Sequence, residues 1–384
     1  MNNFEYCNPV RIVFGKGQIA RLSDLIPKGS KILMTYGGGS IKSNGVYDQV
    51  KTALAGFEVV EFGGIEPNPQ FSTLMKAVEI VKKENVNFLL SVGGGSTLDG
   101  TKFIAAAAEY EGDDPWDILE KGAPVVKAIP IGDVITLPAT GSEMNCLAVI
   151  SKKETTEKLA FGSPCVFPQF SIIDPTVTFS LPLRQVANGI ADTFVHVVEQ
   201  YVTHPQNAPL QDRQAEALLL ALVEEAPKVF AAPNDYETRA NLFWMATQAL
   251  NGWLNVGVAQ CWATHNIGHE LTAQTGVDHG RSLALVLPGV WRSQRKEKGE
   301  KIAQLGRRVF GIVESDLDKA IDETIVATKN FFSSLGINAT RAEYGVTDEV
   351  VQAIAKLVDS RGVKFGDRQN IDGAKIVEIM NLCD

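Results

Sequence analysis

The chain has 384 residues, 45% of them hydrophobic and 21% charged, which excludes extended disorder and favours two domains over one core. Its 36 Lys and Arg against 45 Asp and Glu leave a net charge of −9, so no basic field exists to neutralise nucleic-acid phosphates or an anionic membrane. The five cysteines (Cys7, Cys146, Cys165, Cys261, Cys383) are dispersed and odd in number, which reads as reduced thiols and not a disulfide framework. The opening Met-Asn-Asn-Phe-Glu-Tyr-Cys carries no signal-peptide pattern, and no apolar run reaches membrane-spanning length. A cytoplasmic location is the expectation.

Residues 31–36 read as a buried strand, followed by Gly37-Gly38-Gly39-Ser40 and a helix near 43–55. A strand at 58–62 leads into a Gly/Pro loop, and a helix from about 71 to 84 precedes the strand 88–92. Gly93-Gly94-Gly95-Ser96 and a further helix through Ala105 to Ala108 come next. Strand, loop and helix repeated in this order predict a parallel sheet with right-handed crossovers.

The two glycine runs close strands and open helices, where backbone N–H groups and the helix dipole suit a phosphate. Glycine permits close approach of the backbone to such a ligand. Neither run is a GxGxxG fingerprint or a Walker loop. A third segment, Thr136-Leu137-Pro138-Ala139-Thr140-Gly141-Ser142-Glu143, reads either as a capped turn or as a second wall of the same crevice.

The character changes near Leu181-Pro182. Of 34 glycines, 19 lie before residue 181, and the rest of the chain is dominated by helical periods. Helices are expected at 186–203, 210–230, 236–254, 260–274, 300–313, 318–335 and 348–358. The expected division is therefore an α/β domain at 1–182 and an all-α domain at 183–384.

The second part holds all five histidines, at 196, 204, 265, 269 and 279. Asp192 and His196 stand four apart on one helix face, opposite an apolar stripe of Ile190, Phe194, Val198 and Tyr201. His265 and His269 form a second such pair, and His279 follows in a glycine-flanked loop able to fold back on that helix. A carboxylate with three or four imidazoles matches one divalent ion, Zn2+ or Fe2+.

With these motifs in hand, the chain resembles the iron-containing alcohol dehydrogenases, in particular their butanol dehydrogenase and NADPH-dependent aldehyde reductase branch. The resemblance runs essentially end to end. It is carried by Phe14-Gly15-Lys16-Gly17, Tyr36-Gly37-Gly38-Gly39-Ser40, Glu66-Pro67-Asn68-Pro69, Val92-Gly93-Gly94-Gly95-Ser96-Thr97-Leu98-Asp99, Leu137-Pro138-Ala139-Thr140-Gly141-Ser142-Glu143 and Asp192-Thr193-Phe194-Val195-His196, joined by His265, His269 and His279. Met144 and Cys146-Leu147 depart from the small residues usual there and alter a pocket wall.

The resemblance implies a dinucleotide-binding α/β domain, a helical metal-binding domain and an active site between them. It implies Asp192, His196, His265 and His279 as metal ligands, with His269 near nicotinamide and substrate as a proton carrier. Gly38, Gly39, Ser40, Asn68, Gly94, Gly95, Ser96, Asp99, Thr136, Thr140, Asn145 and Lys158 would line the cofactor, alongside Gly37 of the first glycine run. A small to medium aldehyde or primary alcohol is the expected substrate, and a homodimer the expected assembly. NADP(H) is the expected nicotinamide over NAD(H), because no acidic residue follows the strand 31–36 until Asp48, and Lys42 lies close by. The rivals are a polyol or glycerol dehydrogenase of the same superfamily, a dehydroquinate-synthase-like lyase and a non-enzymatic binding module. The lyase would need a basic pocket that these motifs do not supply.

Overall fold

The computed structural model describes residues 1–384 and divides into two compact units. One comprises Cys7–Leu181 and Asn234–Thr247; the other comprises Met1–Tyr6, Pro182–Pro233 and Gln248–Asp384.

The first unit is built on a six-stranded parallel sheet. Its strands are β1 (Arg11–Phe14), β2 (Lys31–Tyr36), β3 (Glu58–Phe62), β4 (Phe88–Gly93), β5 (Ile131–Ile135) and β8 (Phe170–Ile173), in the spatial order β1-β8-β5-β4-β2-β3. A separate antiparallel hairpin joins β6 (Leu147–Lys152) to β7 (Glu157–Gly162). Strands β4 and β5 are buried along their whole length, as a sheet covered on both faces requires. Alternation explains the covering: Ile32 and Met34 of β2 enter one apolar cluster with Val46 and Val50, whereas Leu33 points to the other with Leu74 and Phe103.

The helices of this unit are α1 (Leu22–Leu25), α2 (Ser40–Ser43), α3 (Val46–Ala53), α4 (Phe71–Glu84), α5 (Gly95–Ala108), α6 (Asp117–Glu120) and, from far along the chain, α9 (Tyr236–Ala249). Phe243 of α9 is buried against Ile135 and Ile173 at the ends of two central strands. From β2 the chain adds β3 on one side, then β4 and β5 on the other. The strand order therefore reverses between β2 and β4. Parallel sheets bind ligands at the carboxyl ends of the strands flanking such a reversal, and both glycine runs follow these two strands.

The second unit is helical, with α7 (Leu183–Tyr201), α8 (Pro209–Ala231), α10 (Ala263–Thr275), α11 (His279–Ser293), α12 (Arg295–Val309), α13 (Leu317–Ser334), α14 (Asp348–Ser360) and α15 (Gly373–Asn381). Phe194 anchors its core, with ring centroids of Phe331 and Phe332 at 5.4 and 5.5 Å. Two helices were not expected from periodicity. One is α15, and the other is α11, which begins at His279 where a loop was expected. Its Gly280 and Pro288 hide the helical pattern, although apolar residues fill its length.

Candidate metal centre and nucleotide loops

The glycine runs adopt the geometry their sequence suggests. Gly39 has φ 105°, in the left-handed region open to glycine, and caps α2. Gly37 accepts a backbone bond from Gly64, and Gly38 has open space where a side chain would stand. Gly94 caps α5, which begins at Gly95 and Ser96. A Cβ on Gly95 would collide with Thr140, so that glycine lets the two walls touch. The Thr136 amide donates to the Gly93 carbonyl at 2.8 Å, joining the third segment to the second glycine run. Asn68 holds a left-handed φ of 59° in the loop after β3.

Some predicted cofactor residues direct their side chains into the protein. Asp99 accepts from the Ser142 hydroxyl at 2.7 Å and the Val149 amide at 3.0 Å. Asn145 accepts from Lys102 and donates to the Gly141 carbonyl. Lys102, which the sequence reading passed over, is fully buried and donates to oxygens of Ser142, Asn145 and Leu147. Burial lowers its pKa to about 8, against the charge of Asp99. Asp99, Lys102 and Asn145 thus hold the 141–147 loop in shape. Lys158 is buried on β7, opposite Ser151.

No acidic residue follows Tyr36 along the chain until Asp48, but a carboxylate reaches it from the neighbouring strand. Glu61, on the neighbouring strand β3, accepts from the Tyr47 hydroxyl and from Lys51, each at 2.9 Å, and from Tyr36 at 3.4 Å. Lys42 lies over the rings of Tyr36 and Tyr47, 4.9 and 5.2 Å from their centroids.

In the helical unit, α7 is buried on both faces from Val186 to Tyr201. Its polar stripe is therefore no solvated surface, for Asp192, His196 and Glu199 are all buried. His265 comes from α10 and His279 from the first residue of α11. The three Nε2 atoms of His196, His265 and His279 surround Asp192 Oδ1 at 3.6, 3.5 and 3.7 Å. One donor atom each of Asp192, His265 and His279 lies within 4.8 Å of the others, a set that does not include His196.

Ligands bound at about 2.1 Å around a tetrahedral ion stand about 3.4 Å apart. Asp192 Oδ1 and His265 Nε2 are buried without a hydrogen-bonded partner, an arrangement disfavoured unless something else binds them. The residues fit a divalent ion with mixed nitrogen and oxygen ligands. Burial would raise the Asp192 pKa, but the imidazoles of His196, His265 and His279 hold it well below the usual carboxylate range. Burial likewise works against a charged His265, yet the carboxylates of Asp192 and Glu199 raise it to about 9. The carboxylate oxygen is thus held negative where positive charge is favoured.

His269 lies outside the mutual donor set. Its ring stacks on His279 at 4.9 Å and meets His265 edge-on at 6.2 Å. It is half-buried, unlike His265.

Comparison with known proteins places these features in a wider set. Residues 9–175 match the model of iron-containing alcohol dehydrogenase, and residues 186–382 match that of the Fe-containing alcohol dehydrogenase family, C-terminal. The chain is 53% identical over 374 residues to the NADPH-dependent aldehyde reductase YqhD of Escherichia coli, covering 97% of each. It is 43% identical to the probable NADH-dependent butanol dehydrogenase 1 of Bacillus subtilis, covering 99% of each. The crystal structure of E. coli YqhD superposes with a TM-score of 0.98 at 51% identity, covering 100% of this chain and 99% of that one. The NADH-dependent butanol dehydrogenase A of Thermotoga maritima gives 0.95 at 38% identity, with coverage of 100% and 99%.

Proposed function

The chain belongs to the iron-containing alcohol dehydrogenase family, and on that premise we propose that it is an NADP(H)-linked reductase of small to medium aldehydes. As a member of that family it is an alcohol dehydrogenase, an oxidoreductase. The observation that carries the proposal is the ring of three imidazole nitrogens around one carboxylate oxygen, Asp192 Oδ1.

Asp192, His196, His265 and His279 would hold one Fe2+ or Zn2+ ion. Such an ion, when bound, acts as a Lewis acid on a carbonyl or alcohol oxygen. A nicotinamide dinucleotide, when bound, would supply or accept the hydride. We assign the dinucleotide to residues 1–182, through Gly37, Gly38, Gly39, Ser40, Asn68, Gly94, Gly95, Ser96, Thr136, Thr140 and Lys158, with Asp99 and Asn145 shaping the loop. Residues 183–384 would carry the metal.

His269 is assigned to proton transfer at the substrate oxygen. Its half-buried ring, stacked on that of His279, supports that role. The preference for NADP(H) is supported by the Lys42 ammonium over Tyr36 and Tyr47, and by the engagement of Glu61 with Lys51. The relative at 53% identity is named NADPH-dependent. No helix is long and apolar enough to cross a membrane. The free state of all five cysteines supports a cytoplasmic location, and the family likeness supports a homodimer.

Incubating the purified protein with NADPH or NADH and butanal tests the reading. NADPH oxidation that depends on aldehyde is expected. Turnover with glycerol and NAD in its place would shift the assignment to a polyol dehydrogenase.

A further inference from the structure

Glu199 is a buried ionisable group beside the metal cluster that the proposed chemistry does not use. It lies on α7, the helix of Asp192 and His196, and is 3% exposed. Its Oε1 accepts the backbone N–H of Thr264 at 2.7 Å. Its Oε2 accepts the backbone N–H of His265 at 3.0 Å and stands 2.6 Å from His265 Nδ1. Its own carbonyl accepts the Cys261 amide at 2.8 Å.

The helix that carries His265 has no cap of its own. Trp262 occupies the cap position in a left-handed conformation, φ 55°, and its side chain makes no capping bond. An α-helix leaves its first amides without partners, and those two residues into the helix are the ones a cap side chain normally satisfies. Here Thr264 and His265 are those residues, and the acceptor comes from a different helix. The carboxylate charge also lies at the positive end of the α10 dipole.

The same carboxylate determines which ring nitrogen of His265 is free. An ionised carboxylate only accepts, so Nδ1 must carry the proton in the 2.6 Å contact. Nε2, which stands 3.5 Å from Asp192 Oδ1, is then the nitrogen left to bind an ion. Such an outer carboxylate fixes the orientation of a metal-binding imidazole and raises its basicity as a ligand.

We propose that Glu199 is the positioning residue of the metal centre. One carboxylate sets where α10 begins, how the His265 ring is turned and which nitrogen it presents to the ion. This rests on the metal reading above and extends it to a residue outside the ligand set.

The test uses the full chain loaded with Zn2+. In the unaltered enzyme labelled with 15N-histidine, NMR should show His265 protonated at Nδ1, and an unprotonated Nδ1 would overturn the proposal. Glu199→Gln keeps the shape but places an NH2 against backbone or ring N–H donors. Chelator competition should show about 10–100-fold weaker Zn2+ binding in that variant, with helical circular dichroism unchanged. Glu199→Asp retains two acceptor oxygens on a shorter stem, and its affinity should fall between the two. A plain helix cap predicts otherwise: a lowered melting temperature with Zn2+ affinity equal to that of the unaltered enzyme, which would overturn the proposal. Asp192→Ala is measured alongside. Full Zn2+ retention there would overturn the metal reading and this proposal with it. Unchanged affinity in Glu199→Gln beside a metal-free Asp192→Ala would overturn the role of Glu199 alone.

Discussion

Gly280 lies so close to Asn188 that a Cβ on it would collide with the Asn188 carbonyl oxygen. The contact joins the first turn of α11 to α7, the helix of Asp192 and His196, one residue after His279. Asp278 ties the same junction, accepting from Arg184 at 2.8 Å and from Asn188 at 3.0 Å. Gly280→Ala should therefore push α11 outward and carry His279 with it. Overpacking of this kind costs about 1–3 kcal/mol, and metal content should fall together with the melting temperature. Normal metal content at a normal melting temperature would show that the close approach does not position His279.

His269 is expected to affect rate and not loading. General acid–base help is worth about 10²–10⁴-fold, so His269→Ala should keep its metal and lose kcat on that scale. A metal-free His269→Ala would make it a ligand.

Cofactor choice is tested at Gly38, the glycine of its run with open space for a side chain and no left-handed backbone. Gly39, at φ 105°, would confound the experiment with strain. Gly38→Asp should lower kcat/KM for NADPH far more than for NADH, because its charge repels the 2′-phosphate and accepts from a free ribose hydroxyl. An equal effect on both cofactors would place the 2′ position elsewhere. Lys42→Ala should weaken NADPH selectively by the same reasoning.

Asp133 gives the stability a pH dependence. It lies mid-strand in β5, fully buried, with both carboxylate oxygens lacking a partner. Burial, then the charge of Glu143, raises its pKa well above the usual carboxylate range. An acid raised on folding contributes stability below its unfolded pKa and loses it as pH rises through the folded value. The loss runs at up to about 1.4 kcal/mol per pH unit between the unfolded and the folded pKa, and stops above the folded value. Asp133→Asn cannot ionise, so its melting temperature relative to the unaltered chain should climb as pH increases. A constant difference between about pH 5 and 8, where stability is usually greatest, would contradict this.

Much of the site was legible because its signals are local. Asp192 and His196 share a helix face by spacing alone, and each glycine run stands directly between a strand and a helix. Other features depend on neighbours distant in the chain. Glu61 approaches Tyr36 because β3 pairs with β2, and Glu199 reaches His265 only when α7 packs beside α10. The α11 start was read as a loop because glycine on both sides of Asp278-His279 signals a turn. In the structure Gly276 ends α10 with a left-handed φ of 73°, and Gly280 serves helix contact. Lys102 gave no sequence signal, since a single lysine on a small-residue helix looks solvent-exposed until the loop that encloses it is in place.

The central claim is that Asp192, His196, His265 and His279 hold one divalent ion on which aldehyde reduction depends. The most direct measurement is elemental analysis of the purified chain and of His279→Ala, each assayed with NADPH and butanal before and after chelation and metal return. The account predicts one Fe2+ or Zn2+ per unaltered chain, turnover lost on chelation and restored by the ion, and neither ion nor turnover in His279→Ala. Full turnover in a metal-free chain, or full metal content and activity in His279→Ala, would contradict it.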